Sequence, residues 1–221
     1  MAARPRIVLL HGTPVAMVPI QQSFAARWPE AEIVDLLDAS LSVDRAKDHD
    51  LTPRMFERFV ELGSYAHRIG ADAILVTCSA FGPAIEHMGK TLPIPVLKPN
   101  EAMFQAAVAR GSRLGMLATF APSVLTMTQE FDEFVAATGS GATLRTIVVD
   151  GAMDALRGGD AEEHNRLVAA RAPELADCDA IMLAHFSTSR AYDQARALVD
   201  VPVLTSPDSA VDRMREMLAR R

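Results

Sequence analysis

Two residues carry the sharpest chemistry in this chain. Cys78 ends the run ILVTC and His185 follows the run IMLA, so each closes an apolar stretch of strand-like composition. A cysteine acts as base or nucleophile through its thiolate, which the partial positive charge at a helix start stabilises. The residues after Cys78 (SAFGP) offer such a start, with Gly82 and Pro83 opening the helix. An imidazole exchanges protons near neutral pH, so His185 can serve as acid or base. The competing role for Cys78 is packing, because cysteine is among the residue types most often buried. Cys178 reads as structural: it precedes its strand between Asp177 and Asp179, whose carboxylates disfavour a thiolate.

Other polar groups fall at the same ends of the apolar runs. His11 lies just past the first run, in HGTP, where it can orient a substrate or form a wall. Thr13, Thr77, Ser79, Thr119, Ser123, Ser187 and Thr188 form a set of hydroxyls that could hold a carboxylate without any arginine. Their alternative role is helix capping, particularly for Ser187. His49, in DRAKDHDLTP, belongs to a lid or a solvated loop, and His67, His87 and His164 read as structural or exposed. Glu101 and Asp208 each suit the first turn of a helix.

Positioning these side chains requires a parallel sheet. Short apolar runs alternate with amphipathic stretches, the rhythm of βα units. Strands are expected at Ile7–Leu10, Glu32–Leu37, Ala73–Thr77, Ile94–Leu97, Arg113–Ala118, Thr143–Val148, Ala180–Ala184 and Val201–Leu204. The clearest helix is Pro53–Ile69, with Met55, Phe59, Leu62, Ala66 and Ile69 on one stripe behind Thr52 and Pro53. Others are expected at Pro19–Arg27, Pro83–Gly89, Glu101–Arg110, Pro122–Ala137, Ala161–Arg171, Thr188–Val199 and Asp208–Ala219.

An internal repeat organises these elements. ADAILVTCS (71–79) matches CDAIMLAHF (178–186), and IPVLKPNEAM (94–103) matches VPVLTSPDSA (201–210), both at an offset of 107 residues. The same offset lays RIVLL (6–10) over RLGML (113–117) and Cys78 over His185. The expected fold class is therefore α/β, with two pseudo-symmetric parallel-sheet domains and the active site in the cleft between them. The first domain is expected over 1–98, completed by a C-terminal helix at 206–221, and the second over 99–205.

Composition narrows the partners. Lys plus Arg number 22 against 28 Asp plus Glu, a net charge of -6, so no broad basic field exists for nucleic acid. Two distant cysteines, with no CxxC and no HExxH, give no expectation of a disulfide framework or a metal. GTPVAM has neither a dinucleotide nor a Walker spacing, and FSTSRA has no nucleophile elbow, so no cofactor is expected. The N-terminal apolar run is short and interrupted by His, Gly and Pro, which suits a buried strand rather than a signal peptide. Nothing reaches transmembrane length, and a cytoplasmic protein without a membrane partner is expected.

The Thr-Pro loop after the first strand, TCSAFG (77–82), LATFAPS (117–123) and LAHFS (183–187) together resemble the aspartate/glutamate/hydantoin racemase superfamily. Its relatives include maleate isomerases and arylmalonate decarboxylases. The resemblance covers nearly the whole chain. It implies a cofactor-independent homodimer acting on a small carboxylate or hydantoin-like substrate. In the racemases one cysteine from each half flanks the substrate carbon, which implies a catalytic role for Cys78. The second position falls on His185, with Ala184 as the other alignment, and holds no cysteine. The decarboxylase relatives keep a single cysteine in the second half, opposite to the arrangement here. The resemblance further implies substrate or oxyanion contacts for Thr77, Ser79, Thr119 and Ser123, and a first-loop wall of Thr13 and Pro14. His11 and Phe186 join the substrate-binding set.

The function expected is an isomerase or racemase moving a proton by Cys-based chemistry, with His185 as the opposed acid or base. Three alternatives stand beside it. One is a lyase or decarboxylase of a small substituted acid, and another a maleate-isomerase-like enzyme in which Cys78 adds covalently. The third is a small-acid binding protein without catalysis.

Overall fold

The computed structural model describes residues 4–48 and 50–220, so His49 lies outside the described residues. The chain divides into two compact units. One comprises the residues up to Pro99 together with the segment from Ala210, and the other is Asn100–Ser209.

The first unit runs β1 (Arg6–His11), α1 (Met17–Arg27), β2 (Glu32–Leu37), α2 (Ser40–Arg45), α3 (Pro53–Arg68), β3 (Ala73–Val76), α4 (Gly82–Thr91) and β4 (Val96–Leu97). The second runs α5 (Glu101–Val108), β5 (Arg113–Ala118), α6 (Ala121–Thr138), β6 (Thr143–Val148), α7 (Ala152–Arg157), α8 (Ala161–Arg171), β7 (Ala180–Leu183), α9 (His185–Thr188), α10 (Tyr192–Arg196) and β8 (Val203–Thr205). A last helix, α11 (Ser206–Ala219), begins in the second unit and continues into the first.

Each unit holds one four-stranded sheet, in the orders β2-β1-β3-β4 and β6-β5-β7-β8, and every pairing is parallel. The pseudo-symmetry read from the repeat is thus a repeat of topology and of register. Leu10 pairs with Val76 in one sheet, and Leu117 pairs with Leu183 in the other. The unbroken apolar runs AILV and AIML became the inner strands β3 and β7, buried at every position. The mixed sequences EIVDLL and TLRTIV became edge strands, exposed or half-exposed throughout.

The amino end of each sheet is closed by a corresponding aspartate. Asp72 Oδ2 accepts from the Arg6 amide at 2.7 Å, and Asp179 Oδ2 accepts from the Arg113 amide at 2.8 Å. On one face of the first sheet Val8, Leu10 and Val76 meet Met55, Phe59 and Ala66 of α3 and Ile85 and Met88 of α4. Burying each of these larger side chains contributes roughly 1.5–3 kcal/mol. Gly63 lets α3 and α4 approach closely, for a Cβ there would stand 2.5 Å from Met88 Sδ.

Several elements differ from expectation at their ends. The strands expected at Ile94 and Val201 begin at Val96 and Val203, although Pro95 and Pro202 still accept amide hydrogen bonds from Ile74 and Ile181. Proline has no amide to donate, so the ladder is thinner there. The helix expected over Thr188–Val199 is instead α9, a 3-10 turn at Ser189–Ala191 and α10. Ser187 is inside α9 and buried rather than at a cap. The short helices α2 and α7 have too few turns to show a periodic stripe.

Candidate active site

Cys78 lies two residues past the end of β3, in extended conformation (φ -121°, ψ 118°), and leads into a 3-10 turn at Ser79–Phe81. The turn passes directly into α4, with Pro83 in its first turn. The amides following Cys78 therefore enter a turn at once, as the sequence suggests. The thiol is half-buried, and Ser79 beside it is half-buried too.

Gly12, in the loop after β1, forms one flank of Cys78. A Cβ at Gly12 would stand 3.5 Å from Cys78 Cβ, 3.6 Å from Sγ and 3.4 Å from Ser42 Oγ. Ser42, on α2, donates its hydroxyl to the Gly12 carbonyl and ties this loop to the helix. The loop continues through Thr13, which is extended and half-buried, into the exposed Pro14 at the head of a 3-10 turn. Nothing in the sequence marks Ser42, because α2 is only six residues long.

His11 is fully buried, with both ring nitrogens engaged inside the sheet. Nδ1 is 2.9 Å from Thr77 Oγ1 and Nε2 is 2.9 Å from Asp35 Oδ1. Burial lowers the His11 pKa from its ordinary value, and the Asp35 carboxylate opposes that shift. Thr77 is also buried. The signal for Asp35 is an acid set between Val34 and Leu36 in the strand EIVDLL.

In the second unit His185 begins α9 with φ 68°, among the described residues the one non-glycine with positive φ. A left-handed residue with a Cβ is strained by roughly 1–2 kcal/mol, and such strain collects at functional positions. Its Nε2 is 2.7 Å from Ser123 Oγ, whose hydroxyl also lies 2.8 Å from the Phe120 carbonyl. Nδ1 is buried and has no hydrogen-bond partner among the described residues. Burial pushes the His185 pKa down to about 4, against a smaller opposing effect of the Ala184 backbone. The ring is therefore neutral at physiological pH.

The remaining expected residues have other surroundings. Thr119 Oγ1 and Thr188 Oγ1 are both buried and 3.3 Å apart, joining the end of β5 to the end of α9. Phe186 is buried. His164, on α8, is fully buried, with Nδ1 2.8 Å from Asn165 Oδ1 and Nε2 without a partner. Burial lowers its pKa, and the charge of Arg190 adds to that effect. His67 and His87 are exposed, the latter edge-on to Phe56. Cys178 is buried, and burial raises its pKa.

Among the described residues no group of three or more His, Cys, Asp or Glu side chains could hold a metal ion. No helix among them is long and apolar enough to cross a membrane. At the end of one inner strand stands a thiol beside a glycine, and at the corresponding end in the other sheet stands a neutral imidazole held by a serine. Such groups can exchange protons with a weak carbon acid.

Solved structures share this fold. Glutamate racemase isoform RacE1 from Bacillus anthracis superposes with a TM-score of 0.71 at 15% identity, covering 98% of this chain and 82% of that one. The Picrophilus torridus aspartate racemase gives 0.75 at 12% identity, over 97% and 94% of the two chains. The allantoin racemase from Klebsiella pneumoniae gives 0.71 at 15%, over 97% and 88%. No curated protein sequence matches the chain significantly. The sequence profile of the Asp/Glu/hydantoin racemase family matches residues 19–170, more than half of the 221, and the chain belongs to that family.

Proposed function

We propose that the chain is a cofactor-independent isomerase or racemase of a small carboxylate or a related α-acidic compound, moving a proton with Cys78 and His185. Family membership supports isomerase or lyase chemistry on a small acid in general. The observation that carries the finer reading is positional. Cys78 and His185 each stand two residues past the inner strand of a sheet, β3 or β7, in matching registers.

His185 is neutral, so its imidazole can take a proton. In one turnover the His185 imidazole removes the α-proton, and the electron pair of the broken C–H bond moves into the carboxyl or carbonyl group as an enolate. The Cys78 thiol then gives its proton to the opposite face of the carbon. The resulting imidazolium and thiolate return to their resting forms by proton exchange with solvent. Amides of the 3-10 turn after Cys78 and the rim hydroxyls Thr13 and Ser79 stabilise the enolate oxygen.

Unlike acid–base groups favour a second reading as well. A decarboxylase needs only one acid to protonate the carbanion left by carbon dioxide, and the single thiol at Cys78 suffices for that. Homodimerisation, implied by the family resemblance, belongs to the same proposal and is read by light scattering on the purified chain.

Proton NMR in deuterated water over a panel of small racemisable acids and hydantoins tests the reading. Loss of the α-proton signal with inversion is expected, abolished in Cys78→Ala. Carbon dioxide release in its place favours the lyase. Failure of every acid to incorporate deuterium sinks the isomerase reading.

A further inference from the structure

One chain of hydrogen bonds crosses the carboxyl end of the first sheet. Gln21 Nε2 donates to Asp35 Oδ2 at 2.7 Å, Asp35 Oδ1 is 2.9 Å from His11 Nε2, and His11 Nδ1 is 2.9 Å from Thr77 Oγ1. The chain joins α1, β2 and β1 to the residue immediately before Cys78.

The donors and acceptors fix the protons. A carboxylate only accepts, so His11 Nε2 carries the hydrogen that meets Asp35. In the neutral ring Nδ1 is an acceptor and Thr77 Oγ1 donates to it at 2.9 Å, the hydroxyl's other acceptor, the Leu10 carbonyl, being farther at 3.5 Å. The order of groups is that of a hydrolytic triad, but Thr77 is buried and cannot present its oxygen to a substrate. What the chain can do is hold. Thr77 is fixed by its amide on the Leu10 carbonyl at 3.0 Å and by its hydroxyl on His11, so the strand end from which Cys78 projects is pinned twice. Side chains alternate along an extended strand, so the thiol emerges on the other face, with Leu10 and Val76.

The second sheet is an internal control. It forms the same strand order and register with Ala118 and Ala184 where the first has His11 and Thr77. Thr146, opposite Met116, takes the place of Asp35, opposite Leu9. The fold therefore closes without this chain, which exists only on the side that holds the thiol.

We propose that Asp35 and His11 are positioning residues for Cys78, acting through the Thr77 hydroxyl that they hold in one orientation. The proposal rests on the reading of Cys78 as the reacting thiol, and two of its readouts need no substrate. In Asp35→Asn, Gln21 still requires an acceptor, so the new amide turns its oxygen to Gln21 and its NH2 to His11. The ring must then carry its proton on Nδ1, and the Thr77 hydroxyl is left with only its longer contact to the Leu10 carbonyl.

The experiment combines three measurements on wild type, Asp35→Asn, Asp35→Glu and Thr77→Val. Nitrogen-15 NMR reads the His11 tautomer, iodoacetamide reads Cys78 reactivity against pH, and steady-state kinetics on a turned-over acid separates kcat from KM. The expected results are an Nε2–H tautomer in wild type and Nδ1–H in Asp35→Asn. The alkylation profile should move along the pH axis in Asp35→Asn and in Thr77→Val, and kcat should fall roughly ten-fold or more while KM stays within about two-fold. Asp35→Glu should restore part of both. An Nδ1–H tautomer in wild type overturns the proposal, as does an alkylation profile unchanged in both Asp35→Asn and Thr77→Val. Should no acid be turned over, the enzymatic reading fails while the tautomer and alkylation results still decide this one.

Discussion

Ser123 stands between His185 and the Phe120 carbonyl, with its Oγ 2.7 Å from Nε2 of the ring and 2.8 Å from the carbonyl oxygen. A hydroxyl has one proton, and the carbonyl can only accept it. Ser123 therefore gives its proton to Phe120 and receives Nε2–H from His185, which leaves Nδ1 with its lone pair. Ser123→Ala removes this restraint on the tautomer. We expect kcat to fall roughly ten- to hundred-fold with a smaller change in KM, read by deuterium incorporation under saturating substrate.

Burial of His185 makes folding stability depend on pH. The folded pKa is about 4 against an ordinary 6.5, so between these values the unfolded chain binds more protons. Stability from a neutral His185 is fully present above about 6.5 and is lost as pH falls towards 4. His11 and His164, whose pKa values are also lowered by burial, act in the same direction. Urea unfolding at pH 7.5 and pH 5 should therefore show a larger loss for wild type than for His185→Asn, and equal losses would refute the assignment. Asparagine is chosen because it tolerates the left-handed backbone at this position.

The two cysteines should separate chemically. Burial raises the Cys178 pKa, whereas Cys78 is only half-buried beside a turn. One equivalent of iodoacetamide should modify Cys78 first and abolish turnover, as mass spectrometry of the peptides and the residual rate would show. Cys178→Ala should keep its activity within about two-fold and lose roughly 1 kcal/mol of stability from the small cavity. Inactivation that tracks Cys178 would reverse the assignment.

Gly12→Ala tests the flank of the thiol. The added methyl would stand 3.6 Å from Cys78 Sγ, in contact without collision. The fold should tolerate it, with a melting temperature within a few degrees of wild type. Alkylation of Cys78 should slow several-fold, and KM should rise as the methyl fills space beside the sulfur. An unchanged alkylation rate would place the open side of the thiol away from Gly12.

The sequence was legible where one physical rule acted alone. AILV and AIML could only be strands buried on both faces, and their fixed spacing carried the duplicated topology with them. That His185 follows its inner strand as Cys78 follows its own came from the same spacing. The backbone of His185 did not: positive φ is announced by glycine or asparagine, and a histidine gives no such sign. The break between α9 and α10 was hidden because HFSTSRAYDQAR has neither glycine nor proline to mark it. Asp35 stands in the sequence as an acid between Val34 and Leu36, but its partner His11 is 24 residues away, and only strand pairing joins them.

Helix α11 has a consequence for how the molecule is made. Its first residues belong to the second unit, while the segment from Ala210 belongs to the first and buries Ala210, Val211 and Met214 completely. Asp212 pairs there with Arg27 of α1, whose carbonyl accepts from Arg215 at 3.2 Å. Translation delivers the β1–β4 sheet well before this covering segment, with the second unit between them. The second unit can thus finish folding while the first still waits for its cover, the reverse of the usual vectorial order in which N-terminal domains mature first.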